Sequence, residues 1–156
     1  LTSIPGASRT FKAGLVTYTN EIKKELVKVS ATVLNRFGAV SAPCAVQMAF
    51  GGIRVGKSDY AVATSGIAGP SGGSPNKPVG TTYWAVAHKD KRWQSWKAVL
   101  PYERRDNQTV AAAIAIEFKK FFMDEWTGQA DPGRLAAIGR ALSEAARGLE
   151  QELTGR

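Results

Sequence analysis

Residues 64–80 read TSGIAGPSGGSPNKPVG, a stretch with five glycines, three serines and three prolines placed directly after an apolar run. Glycines let a backbone approach a bound molecule closely and adopt φ > 0. Serine hydroxyls and unpaired peptide N–H groups can hold an anion or a carbonyl oxygen, and prolines stiffen the loop. The segment therefore reads either as the backbone-lined wall of a pocket or as an exposed hairpin connection. Its spacing matches neither the phosphate loop that ends in Gly-Lys-Ser/Thr nor the dinucleotide fingerprint G-x-G-x-x-G. Ligands in open α/β sheets bind beyond strand ends, which favours the pocket.

Other reactive side chains are few. Tyr18 reads as a strand aromatic, and Lys23 as a solvated helix cation. Cys44 is the single cysteine and His88 the single histidine. That excludes an intramolecular disulfide, a thiolate-rich zinc site and a histidine cluster, so no structural metal is expected. His88 lies in a strand pattern with no carboxylate partner evident nearby in the sequence, and it reads as structural.

These residues must be positioned by the elements around them. Residues 13–19 (AGLVTYT) have strand composition. Asn20 then caps a helix over residues 21–29, with Glu21 in its first turn and Lys28 near its end, as the helix dipole favours. A second helix starts at Ser41-Ala-Pro43, placing Cys44, Met48 and Val55 on one face, and weakens at Gly51-Gly52. Residues 60–64 (YAVAT) are apolar throughout, as in a strand covered on both faces. Strands over 81–88 and 92–100 follow, joined by the polar turn at 89–92. A long amphipathic helix spans 106–126, with Val110, Ile114, Phe118 and Phe121 or Phe122 on its apolar face. Residues 128–133 (GQADPG) read as a linker, and residues 134–150 as a C-terminal amphipathic helix. The expected fold is α/β: a three-layer sandwich, a mixed sheet with helices on both faces.

With 156 residues, 44% hydrophobic and 22% charged, the chain suits one globular domain, occupying residues 1–127 ahead of the linker. No apolar run reaches the roughly 20 residues of a membrane span and no secretory leader pattern opens the chain, so a cytoplasmic protein without membrane attachment is expected. The net charge of +8 suits nucleic acid, a phosphorylated small molecule or a soluble surface. The cations are spread along the chain and do not cluster, which argues against a nucleic-acid-binding face.

The loop and the strand after it, SGIAGPSGGSPNKPVGTTYWAVA, resemble the signature of the CinA C-terminal family of nicotinamide-nucleotide amidases. LTSIPGAS, FKAGLVTYTNEIKKELVKV and FGAVSAPCAVQMA resemble consecutive family blocks in the family's order, so the likeness covers about residues 1–126. The resemblance implies hydrolysis of the carboxamide of nicotinamide mononucleotide to nicotinate mononucleotide and ammonia, with no metal or organic cofactor. It also implies self-association into a homo-oligomer. Tyr18 takes the place of the tyrosine in the family's Val-Thr-Tyr-Ser/Thr-Asn motif and would orient nucleophile or substrate. Lys23 matches a family lysine that would serve as base. Ser65 matches the hydroxyl residue opening the loop, where it would bond the amide or phosphate. Gly66, Gly69 and Lys77 belong to the substrate-binding loop, Lys77 as ligand or as brace. Arg104 matches an arginine that would bind the phosphate, with Arg105 as the alternative.

One departure from the pattern bears on activity. The family's nucleophilic serine lies in a segment similar to Ala-Glu-Ser-Cys-Thr-Gly-Gly, upstream of the block resembling Leu1–Ser8, and these 156 residues contain no such segment. Ser65, Ser71 and Ser74 lack that context. The nucleophile is thus expected from outside this stretch. The alternatives are a nucleotide-binding module without the chemistry and a nucleic-acid binder. Residues 134–149 are similar to the helix that opens the family domain, or share only its Ala-Leu composition.

Overall fold

The computed structural model describes residues 6–126, the last eleven of them by backbone alone. A 3-10 turn at Ala7–Arg9 leads into residues 11–18, which have no regular secondary structure. Helices α1 (Asn20–Glu25), α2 (Ala31–Phe37) and α3 (Ala42–Gly56) follow. Strands β1 (Tyr60–Gly66), β2 (Thr81–His88) and β3 (Trp93–Val99) then form a sheet in sequential order, and α4 covers Arg104–Trp126.

The layers follow from the two-residue period of β2. Ala85 and Ala87 face α3, where they pack with Ala45, Ala49 and Ala63. Trp84 faces α4, where it packs with Val110, Ala111 and Ile114. Only 1% of Trp84 is exposed, and its Nε1 donates to the Ala111 carbonyl at 2.8 Å. Small alanines make up the face toward α3, and the large indole fills the space under α4. The α/β class and the three layers agree with the sequence reading. The sheet differs from it: β1 pairs with β2 and β2 with β3 antiparallel throughout, so these strands are not mixed.

The expected strand at 13–19 does not form. Thr17 is buried and Leu15 half-buried, while Val16 and Tyr18 point outward, so the alternation of a strand is present. A strand also needs a hydrogen-bonded neighbour, and a cavity separates this segment from the edge strand β1. Asn20 is the first residue of α1 and not its cap; the hydroxyl of Thr19 accepts from the Ile22 N–H at 3.3 Å. The helix ends at Glu25, short of the expected 29. Lys28 is left-handed (φ 57), and the Val29 N–H folds back to the Lys23 carbonyl at 3.0 Å. The sequence reading missed α2, which Ser30 caps through the Val33 N–H.

Ser41 caps α3 as expected, and Cys44 and Met48 share its inner face, but Val55 is exposed. The helix continues through Gly51-Gly52. Gly51 lies so close to the Val27 backbone that a Cβ would overlap it, so the glycine serves helix contact and does not end the helix. No helix among the described residues is long and apolar enough to cross a membrane. The expected linker at 128–133 and helix at 134–150 lie outside the described residues.

Candidate active site

A cavity of about 700 Å³ lies along β1. Residues 10–18 form one wall and β1 the facing wall, Met48 and Gly52 of α3 contribute the base, and Asn107, Gln108 and Ala111 of α4 close one side. Its size is within the range of small-molecule sites, roughly 300–1,000 Å³. Tyr18, Lys23, Ser65 and Gly66 all line it; Gly69, Lys77 and Arg104 do not.

Lys23 is the buried ionisable group that lines the cavity. It is 6% exposed, and its Nζ donates to the carbonyls of Thr17 at 2.6 Å and Tyr18 at 2.9 Å. Burial pushes its pKa below the ordinary lysine value, a shift that interactions with Cys44 and Tyr18 partly offset. The same burial raises the Cys44 thiol pKa. A neutral amine keeps two N–H donors and gains a lone pair. Lys23 can therefore hold both carbonyls while accepting a proton. Tyr18 is 77% exposed on the rim of the same wall.

The glycine-rich loop, residues 67–80, is anchored at several points. The Ile67 N–H donates to the Thr81 carbonyl and the Gly80 N–H to the Ile67 carbonyl, closing its base. The Ser65 hydroxyl donates to the Ala39 carbonyl at 2.8 Å. The Nζ of Lys77 donates to the carbonyls of Phe37 at 2.7 Å and Val40 at 2.8 Å. Phe37 is the last residue of α2, where a cation complements the helix dipole. Lys77 thus ties the loop to the turn after α2.

Arg104 holds the other flank, its Nη1 donating to the Gly69 carbonyl at 2.6 Å. Gly69 is buried with φ +92, a conformation that favours glycine, and a Cβ there would come within 2.6 Å of Val79. Its place is inside the loop and not on the cavity surface. Asn107, absent from the sequence reading, is 2% exposed and binds the Ala68 carbonyl from α4. An asparagine in the first turn of an expected amphipathic helix gives little sequence signal, because capping and solvent exposure account for it equally well.

His88 lies at the far end of the sheet, paired with Tyr60, while the glycine loop leaves from the Gly66–Thr82 end. Its Nδ1 contacts Asp90 Oδ1 at 2.7 Å, so a carboxylate partner does lie two residues away, in the β2–β3 turn. Arg92 Nε meets the other oxygen of Asp90 at 2.6 Å. Burial alone would raise the Asp90 pKa, but hydrogen bonds from His88 and from the backbone and side chain of Arg92 outweigh it and lower the pKa to about 2.

The fold and site define a three-layer α/β domain with a lysine-lined cavity on the open edge of its sheet. The chain belongs to the family described as the CinA C-terminal domain, whose model matches residues 1–122. It is 41% identical over 117 residues to nicotinamide-nucleotide amidohydrolase PncC of Shigella flexneri, covering 75% of this chain and 71% of that protein. It is 49% identical over 87 residues to the protein of the same name from Escherichia coli strain K12, covering 56% of this chain and 53% of the relative. The match thus spans about half of the latter. Among solved structures, the competence/damage inducible protein CihA of Agrobacterium tumefaciens superposes with a TM-score of 0.72 at 36% identity, covering 75% of this chain and 72% of that one.

Proposed function

We propose that this domain carries the substrate pocket of an amidase that hydrolyses the carboxamide of nicotinamide mononucleotide to nicotinate mononucleotide and ammonia, its nucleophilic serine coming from outside the 156 residues. The observation that carries the reading is the convergence of Tyr18, buried Lys23 and Ser65 on one cavity. The names and identities of the relatives support it. In this reading a serine hydroxyl attacks the carboxamide carbon and Lys23 accepts its proton. The C–N bond then breaks, the proton leaves with ammonia, and water hydrolyses the acyl-enzyme. Tyr18 orients the nucleophile or substrate. Gly66 and Ser65 admit the ligand against the backbone, and Arg104 binds the phosphate with guanidinium donors other than the one on Gly69. A homo-oligomer acting in the cytoplasm completes this reading.

The two serines on the cavity wall support an external nucleophile. Ser65 donates to the Ala39 carbonyl and Ser58 to the Tyr60 carbonyl, so both hydroxyl hydrogens are committed to backbone. The test is ammonia release from nicotinamide mononucleotide by the complete gene product, compared with residues 1–156 alone and with Tyr18→Phe. The proposal requires release by the complete protein and loss in the variant. The same committed hydroxyls favour a second reading, a nucleotide-binding module without chemistry. Calorimetric binding of the mononucleotide without turnover by the complete protein would establish that reading.

A further inference from the structure

We propose that Asn107 is a positioning residue that holds the start of the glycine-rich loop in its substrate-binding conformation; the choice of substrate rests on the amidase reading above. Asn107 lies in the first turns of α4, lines the cavity and is 2% exposed. Its Nδ2 donates to the Ala68 carbonyl at 3.1 Å and to the Tyr102 carbonyl at 2.7 Å, while its Oδ1 accepts from the Tyr102 N–H at 3.2 Å.

Those contacts define the role. Both amide N–H donors are used, so Asn107 has none left for a ligand and acts through Ala68. A flipped amide would set Oδ1 against two carbonyl oxygens, so the side chain has a single orientation. Arg104, three residues earlier on the same helix face, holds the next carbonyl, that of Gly69. Two consecutive loop carbonyls are thereby drawn onto one turn of α4. Ala68 lines the cavity together with Ser65 and Gly66, so the orientation of its peptide shapes the wall a ligand meets. The rest of the loop has its own anchors at Ser65, Ile67, Lys77 and Gly80. Losing the Asn107 clamp should therefore loosen the Ala68–Gly69 peptide without unfolding the sheet.

The test uses the complete protein with Asn107→Asp, which keeps the shape and removes both donors, and Asn107→Ser as the variant for use if the aspartate fails to fold. Amide hydrogen exchange, mononucleotide binding and steady-state rates are compared with wild type. The expected results are faster exchange at Ala68 and Gly69 with β2 unchanged, and Kd and KM raised about ten-fold, the equivalent of the hydrogen bond lost to the Ala68 carbonyl, with kcat held within about three-fold. A folded variant with unchanged exchange, or with wild-type Kd and KM, overturns the proposal. So does a fall in kcat alone. A wild type that binds the mononucleotide but releases no ammonia overturns the amidase reading and leaves the clamp to be judged by exchange and Kd.

Discussion

The Nζ of Lys23 donates to the backbone carbonyl of Tyr18 at 2.9 Å, so two residues that the family pattern places at the chemistry are joined through main chain and not through the phenol. The lysine shapes the turn that presents the tyrosine. The tyrosine side chain stays on the rim, 77% exposed.

Lys23→Met tests the base and the brace together. Loss of a general base costs about 10²–10⁴-fold in rate, and two backbone carbonyls lose their donor, at a cost of roughly 1–3 kcal/mol where a carbonyl is left buried and unpaired. Relief of the buried charge offsets part of that. Ammonia release is expected to fall at least 100-fold while the melting temperature drops by only a few degrees. Wild-type turnover in the folded variant would remove Lys23 from the mechanism.

The same lysine sets a pH dependence. Burial lowers its folded pKa, so the unfolded chain binds this proton more tightly than the native one. The destabilisation this causes is full below the folded pKa and disappears as pH rises through it toward the ordinary lysine value. The amidase rate should rise over the same window as the neutral amine appears. Rate profiles and denaturation of wild type and Lys23→Met at matched pH values check both trends, and both should be absent in the variant.

Asp90→Asn addresses acid stability at the opposite end of the sheet. The folded pKa of about 2 lies below the usual carboxylate value, so the stabilising contribution is complete above the unfolded pKa and fades as pH falls through about 2. Acid titration followed by circular dichroism should show a shallower acid limb for the variant. The difference will be small, because the group is exposed and screened.

Gly51→Ala sets two effects of opposite sign against each other. Helix propensity favours alanine by about 1 kcal/mol in a helix interior, but the new methyl would overlap the Val27 backbone, and overpacking costs typically 1–3 kcal/mol. Net destabilisation is expected in urea unfolding. A stabilised variant would show that α3 can move off Val27.

The sequence by itself determined the elements whose signals are local. The apolar run at 60–64, the strand patterns at 81–88 and 92–100 and the Ser41 cap place two strands, part of a third and the start of α3 close to where they form, because side-chain period and capping depend on near neighbours. The motif resemblance singled out Tyr18, Lys23, Ser65 and Gly66, which line one cavity, and also Gly69, Lys77 and Arg104, which do not. Tertiary structure alone decided the matters that depend on distant partners. Residues 13–19 have strand composition and, among the described residues, no strand paired with them. Gly51-Gly52 reads as a weak point in a helix, and at Gly51 the glycine admits the Val27 backbone. Lys77 becomes a brace only because the turn after α2 lies beneath it, and Asn107 becomes a clamp only because α4 crosses the start of the loop. Hydrogen bonding and close packing join residues far apart in the chain, and such pairings leave no period or spacing in a single sequence.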